Sequence, residues 1–221
     1  MDGMPPLSFD RVIALIAAGI GRLPGAEAQL RMAPKPRHGW KPGFGPDEAR
    51  PAAALLLIYP VDGAATILLT KRTSHLPSHK GQVSLPGGAL DPGEGIEAAA
   101  LREAREEVGL RTDRVVLAGR LTPLYIPVSG FMLNPVVGTM AARPETVAEA
   151  GEVERIIEAS VADLMEPARH RRVTRVRDGL EFDMPYFDVD GEEIWGATAM
   201  VLSEFVALLG AAPQPAEVRR P

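Results

Sequence analysis

Apolar residues recur at helical spacing over residues 9–23, where Ser8 can cap the start and Pro24-Gly25 ends the pattern. The next apolar runs are shorter. Residues 53–59 and 66–71 read as buried strands joined by a turn at Asp62-Gly63. Further strand candidates span 115–124, 133–140, 154–159, 173–177 and 184–189. Two longer stretches return to the helical period. In the first, Ile96, Ala100, Leu101, Ala104 and Val108 form one apolar sector, and the second covers 197–209. Strands interrupted by two main helices predict an α/β (α+β) domain with a mixed sheet covered on both faces. Residues 34–51 are dense in Pro and Gly and predict an irregular connection. The chain is thus expected to divide into an N-terminal helix and connection packed on the domain (1–50), the domain itself (51–210) and a flexible tail (211–221). The longest apolar runs, 52–59 and 67–69, are far shorter than the roughly 20 residues of a membrane-spanning helix.

The first of the two longer helical patterns carries the chemistry. Arg102, Glu103, Glu106 and Glu107 fall on its last two turns, and Glu94 stands near its start. Glu103, Glu106 and Glu107 are related as i, i+3 and i+4, so three carboxylates share one face. Their mutual repulsion disfavours the arrangement unless cations offset it. Hard divalent cations suit such a site, because Mg²⁺ prefers oxygen ligands and is commonly shared between carboxylates and substrate phosphates. A solvated acidic face paired with Arg102 and Arg105 is the plain alternative. The turn Pro86-Gly87-Gly88 and the loop Asp91-Pro92-Gly93, which deliver the chain into the helix, favour the metal reading. Gly109 fits a C-terminal cap.

Basic groups precede this cluster: Lys71, Arg72, His75, His79 and Lys80. A multiply phosphorylated substrate needs such groups, Arg as a fork and Lys as a point charge. Equally, Lys71 and Arg72 can simply end a strand at the surface. His75 and His79, four residues apart, are better suited to phosphate contact or loop hydrogen bonds than to a zinc site, which needs three or four converging ligands.

In full, the segment reads Gly88, five residues, Glu94, seven residues, then Arg102-Glu103-Ala104-Arg105-Glu106-Glu107-Val108-Gly109-Leu110. It resembles the Nudix box, with Ala104 where the family more often has a larger aliphatic residue. The resemblance implies an α/β/α sandwich with a mixed sheet, to which the helix over 9–23 adds an N-terminal helical extension. It also implies a hydrolase of nucleoside diphosphates linked to another group, using Mg²⁺ or Mn²⁺. Carried over by position, Glu103, Glu106 and Glu107 match the metal-binding carboxylates, Glu94 and Arg102 the pair that orients them, and the Gly87 carbonyl a further ligand. Catalytic roles would then fall to Glu103, Glu107, Arg102 and Glu94. Glu103 is the first choice of general base, with Glu152 and Glu149 as loop candidates.

Across residues 50–205 the order of motifs resembles the coenzyme A pyrophosphatase branch of that family. Leu68-Leu69-Thr70-Lys71-Arg72, Gly81-Gln82-Val83, Pro86-Gly87-Gly88, Ser129-Gly130-Phe131, Asn134-Pro135-Val136-Val137-Gly138 and Ile194-Trp195-Gly196-Ala197-Thr198-Ala199 carry the likeness. The branch implies products adenosine 3′,5′-bisphosphate and 4′-phosphopantetheine, with Lys71, Arg72, His79 and Gly88 binding substrate. The chain departs from the branch at Pro77 and Met200, where a basic residue is usual, and at Leu85, usually phenylalanine. ADP-ribose, NADH or a nucleoside triphosphate therefore stay open as substrates, as does a non-catalytic nucleotide-sensing module. Trp195, Phe131 and Met132 either line a pocket for the organic arm or belong to the core.

The remaining composition narrows these readings. With no cysteine, disulfides, thiolate metal sites and cysteine nucleophiles are excluded. A net charge of −5 argues against a broad nucleic-acid surface, so a polyanionic substrate must be met by local cations and metal. No secretory pattern opens the chain, and the expectation is a cytoplasmic enzyme without membrane or nucleic-acid partners. The N-terminal helix could support a homodimer or pack on its own domain.

Overall fold

Strand β1 (Arg50–Val61) organises the domain, and its residues 52–59 are buried without interruption in the computed structural model. Continuous burial means both faces of the strand are covered, which is why it reads as an apolar run with no alternation. The structure describes residues 7–36, 46–73, 81–177 and 179–210. Upstream lie helices α1 (Phe9–Gly19) and α2 (Gly25–Leu30), and Ser8 caps α1 by accepting from the Arg11 N–H. A two-residue turn at Asp62-Gly63, both at positive φ, leads from β1 into β2 (Ala64–Arg72). The short β3 (Val83–Ser84) and β4 (Gly87–Ala89) follow, then α3 (Ile96–Val108), β5 (Val116–Arg120), β6 (Leu124–Ile126) and β7 (Phe131–Thr139). The remainder is β8 (Val153–Ser160), α4 (Val161–Met165), β9 (His170–Arg177), β10 (Leu180–Val189), β11 (Glu192–Trp195) and α5 (Gly196–Leu208).

β1 pairs in parallel with β7 and antiparallel with β2 and β4, inside an eight-stranded mixed sheet. On one face, Ala53, Leu55, Leu57 and Tyr59 pack against Ala99, Ala100, Ala104 and Val108 of α3. On the other, Ala54, Leu56 and Ile58 share a core with Val12 and Ile16 of α1 and with Val201, Leu202, Phe205 and Val206 of α5. Residues 198–206 of α5 are all buried, so the helix has no solvent face. Among the described residues, no helix is long and apolar enough to cross a membrane.

Two sequence expectations need correction. The candidate strands at 173–177 and 184–189 do not join the main sheet. They form a separate three-stranded antiparallel sheet, β9-β10-β11. Lys71 and Arg155 fasten it to the main sheet, pairing with Glu192 at 3.0 and 3.2 Å. The single strand expected over 115–124 is instead β5 and β6, broken opposite Asn134–Pro135. Pro135 accepts from the Leu121 N–H through its carbonyl but has no N–H to return, so the ladder loses a bond there. Short elements such as α2, α4 and β11 leave too little periodicity to be read from sequence.

Candidate active site

The site forms where α3 crosses the sheet edge at β4. Helix α3 ends at Gly109, in the left-handed region at φ 64°, and the Leu110 N–H bonds back to the Ala104 carbonyl. Carbonyls of the last turn have no partner within the helix. Two of them are taken by the loop ahead of β8, since Val147 and Glu149 donate their N–H groups to Val108 and Glu107 at 2.9 and 2.8 Å. Capping the helix therefore also carries Glu149 and Glu152 to its acidic face. Glu103, Glu106, Glu107, Glu149 and Glu152 line one pocket of about 130 Å³, room for about four waters at liquid density.

Arg102 organises the entry to this pocket. Its Nε and Nη2 fork onto Glu94 at 2.9 and 3.0 Å, Nη1 reaches Glu103 at 2.8 Å and Glu106 at 3.0 Å, and Nη2 also meets the Ala89 carbonyl at 3.0 Å. A guanidinium has five N–H donors, and these five contacts use them all. Glu94 is further held by the Asp91 N–H, and both contacts keep its carboxyl below the ordinary range, the Arg102 bonds foremost. Arg102 thus ties the loop at 89–94 to the helix.

Neither glycine of the Pro86-Gly87-Gly88 turn leaves room for a side chain without displacing a neighbour. A Cβ at Gly88 would stand 2.4 Å from Glu103 Oε1, and one at Gly87 would stand 2.4 Å from the Ala53 carbonyl oxygen. The Gly87 N–H favours the charged form of the Glu107 carboxylate, a smaller effect than those of burial and the neighbouring charges. The Pro86 carbonyl is already taken by the Leu55 N–H.

Glu107 is the anomalous group. Its side chain is 5% exposed and, among the described residues, Oε2 has no hydrogen-bond partner and the nearest cation, Arg72 Nη1, lies 3.9 Å from Oε1. Burial, reinforced by the charges of Glu103 and Glu152, pushes its carboxyl up to about 7 against the pull of Arg72. Burial also raises Glu103, although Arg102 opposes it. Among the described residues, no three carboxylate or imidazole groups converge closely enough to hold an ion as they stand, and Arg102 engages Glu103 and Glu106. The donor set nevertheless fits a hard divalent cation: it is all oxygen, it is over-supplied with negative charge, and it includes a buried oxygen with nothing to bind.

The sequence candidates separate as follows. Glu94, Arg102, Glu103, Glu106, Glu107, Gly87, Gly88, Glu149 and Glu152 come together. Glu149 turns back to its own loop, accepting from the Gly151 N–H at 2.9 Å. Arg72 faces the site, whereas Lys71 points to the opposite sheet face and pairs with Glu192. His79, with His75, Pro77, Lys80 and His38, lies outside the described residues. Trp195, Phe131 and Met132 do not line the carboxylate pocket, and Arg50 covers the Phe131 ring at 4.3 Å. Leu85 and Met200 are core residues, 5% and 3% exposed. What sequence reading missed is the Arg72–Glu107 pairing. Strand alternation beyond Leu68, which packs on the α3 side, was the available signal.

Compared with known proteins, residues 49–181 match the model of the NUDIX domain. A relative from Photorhabdus laumondii, named as the uncharacterized Nudix hydrolase NudL, is 32% identical over 80% of this chain and 90% of its own. One of the same name from Salmonella paratyphi B is 35% identical over 66% of this chain and 77% of its own. Among solved structures, a MutT NUDIX hydrolase from Burkholderia pseudomallei is 22% identical, covering 70% of this chain and 96% of its own at a TM-score of 0.45.

Proposed function

This chain belongs to the Nudix family of pyrophosphohydrolases, and on that premise we propose that it cleaves the diphosphate of coenzyme A or its derivatives, giving adenosine 3′,5′-bisphosphate and 4′-phosphopantetheine. The observation that carries the hydrolytic reading is the five-carboxylate pocket with its unpartnered Glu107 oxygen. Coenzyme A is favoured over other nucleoside diphosphates by the run of motifs from Leu68 to Ala199. Two departures from that run, Leu85 and Met200, sit in the core, so in this chain they alter packing and not the pocket lining.

Nudix hydrolases generally need a divalent metal. Here Mg²⁺ or Mn²⁺ would be held by Glu103, Glu106 and Glu107, with the Gly87 carbonyl as a further ligand. When bound, the cation neutralises phosphate charge and lowers the pKa of a coordinated water. The protein supplies the rest. Arg102, locked by Glu94, keeps Glu103 and Glu106 at the pocket mouth. Glu103 is the first candidate for proton acceptor, because burial raises its proton affinity while it faces the pocket. Glu152 is the loop alternative, whereas Glu149 is held by Gly151. Gly88 leaves room for Glu103, and Arg72 offers a guanidinium to a substrate phosphate.

The test is hydrolysis of coenzyme A beside ADP-ribose, NADH and a nucleoside triphosphate, with Mg²⁺, with Mn²⁺ and with EDTA, products being resolved by chromatography. Metal-dependent release of adenosine 3′,5′-bisphosphate, fastest from coenzyme A, is expected. Faster cleavage of another diphosphate would keep the chemistry and discard coenzyme A, and no cleavage of any would point to a nucleotide-sensing module.

A further inference from the structure

Glu107 and Arg72 share complementary deficits. Among the described residues, Glu107 Oε2 is buried with no donor and Arg72 Nε is buried with no acceptor, and the nearest approach of the two groups, Arg72 Nη1 to Glu107 Oε1, is 3.9 Å. That distance is an ion pair but too long for a hydrogen bond, so neither group satisfies the other. Leaving both unmet is costly in a buried site. A divalent cation together with a phosphate would meet both needs, Glu107 taking the cation and Arg72 a phosphate oxygen.

The backbone around Arg72 is built to hold this aim. Between Lys71 and Arg72 the β2–β8 register slips, Lys71 pairing with Arg155 and Arg72 with Val153. The extra residue, Glu154, lies on β8, so β2 keeps its alternation and presents Arg72 on the same face as Leu68. Arg72 donates its N–H to Gln82, and Thr73 donates to the Glu152 carbonyl, both at 3.0 Å. The strand end is thereby anchored to the loop that carries a pocket carboxylate. Lys71, one residue earlier, is fully engaged with Glu192 and Glu154 on the other face.

We propose that Arg72 is the resident counter-charge of the carboxylate pocket, holding Glu107 until a divalent cation displaces it and then turning its guanidinium to a phosphate of the substrate. This rests on the metal-dependent reading above and adds an exchange that sets metal affinity in the substrate-free enzyme. Arg72 opposes the cation before substrate arrives and cooperates with it afterwards, so binding of metal and of diphosphate are coupled.

Calorimetric titration of the substrate-free full-length chain with Mn²⁺, on wild type, Arg72→Gln and Arg72→Lys, tests the first half. Arg72→Gln is expected to bind Mn²⁺ about tenfold more tightly, the change produced by losing an opposing interaction of about 1.4 kcal/mol. Arg72→Lys keeps the charge and stays near the wild-type affinity. Steady-state kinetics test the second half: both variants are expected to raise KM for the diphosphate, because neither presents the guanidinium fork. Mn²⁺ affinity in Arg72→Gln that is unchanged or weaker would overturn the counter-charge role, with a cooperative melting transition verifying that the variant folds. An unchanged KM in both variants would overturn the phosphate role. If wild type takes up no divalent ion, the metal-dependent reading itself fails. If it takes up metal but cleaves none of the diphosphates, only the substrate reading fails, and the affinity comparison still decides the counter-charge.

Discussion

Glu107→Gln should abolish turnover and at the same time stabilise the metal-free protein at alkaline pH. The carboxyl titrates at about 7 in the fold and near 4.5 when exposed. Folding therefore favours its protonated form: the stability it confers is complete below pH 4.5 and is lost as pH rises through 7. Linkage puts the full loss at about 3 kcal/mol, of which about 2 kcal/mol falls between pH 5.5 and 8.5. Glutamine keeps the shape but carries no charge. The stability difference, variant minus wild type, should thus grow by about 2 kcal/mol over that pH range. Urea unfolding at both pH values in EDTA measures it directly, and comparing the two proteins cancels the other titrating groups. Saturating Mg²⁺ should reverse the order, stabilising wild type with proton release near pH 7 and leaving the variant nearly unchanged. Turnover of the variant should fall by orders of magnitude. A difference independent of pH, or a variant retaining near wild-type rates in saturating Mg²⁺, would refute the view of Glu107 as a buried carboxylate waiting for a cation.

Other perturbations probe the supports of the pocket. Gly88→Ala puts a methyl 2.4 Å from Glu103 Oε1, and because the far end of a glutamate can swing aside, the fold should survive while kcat drops about 100-fold; melting and kinetics on the same sample check both. Arg102→Lys has three donors where five are used, so it must release part of the Glu94 fork or one pocket carboxylate, and kcat should fall at least about tenfold with a weaker dependence on Glu94→Gln in the double variant. Glu204, fully buried on α5, accepts from Gln29, Gly25 and Thr122, with no cation beside it among the described residues. Glutamine there would turn an N–H₂ toward donors at a cost of about 2–4 kcal/mol, lowering Tm by about 5–10 °C, with kcat unchanged because the network lies outside the pocket.

Some of this could be read without coordinates because it is local. The helical face bearing Glu103, Glu106 and Glu107, the Asp62-Gly63 turn, the cap at Gly109 and the burial of β1 all follow from spacing, φ preferences and apolar run length. These depend on residues close along the chain. The association of Glu94 with Arg102 came from resemblance, and the geometry adds that it consumes every donor of the guanidinium. Other features depend on distant segments meeting. Whether 173–189 would extend the main sheet or form a second one was decided by which edge could pair, and strand propensity does not specify a partner. The split of 115–124 arose from Pro135 on another strand. Glu149 and Glu152 reached the site because the end of α3 had carbonyls to satisfy and a loop some forty residues later satisfied them. Lys71 and Arg72 looked equivalent in sequence as a basic pair, yet strand alternation put one in an ion-pair cluster and the other beside Glu107. Spacing along the chain sets which groups are available and which local shapes they take. Only tertiary structure decided which of them would share a buried, low-dielectric space, because burial, and with it the raised proton affinity of Glu107, belongs to the assembled layers and to no single segment.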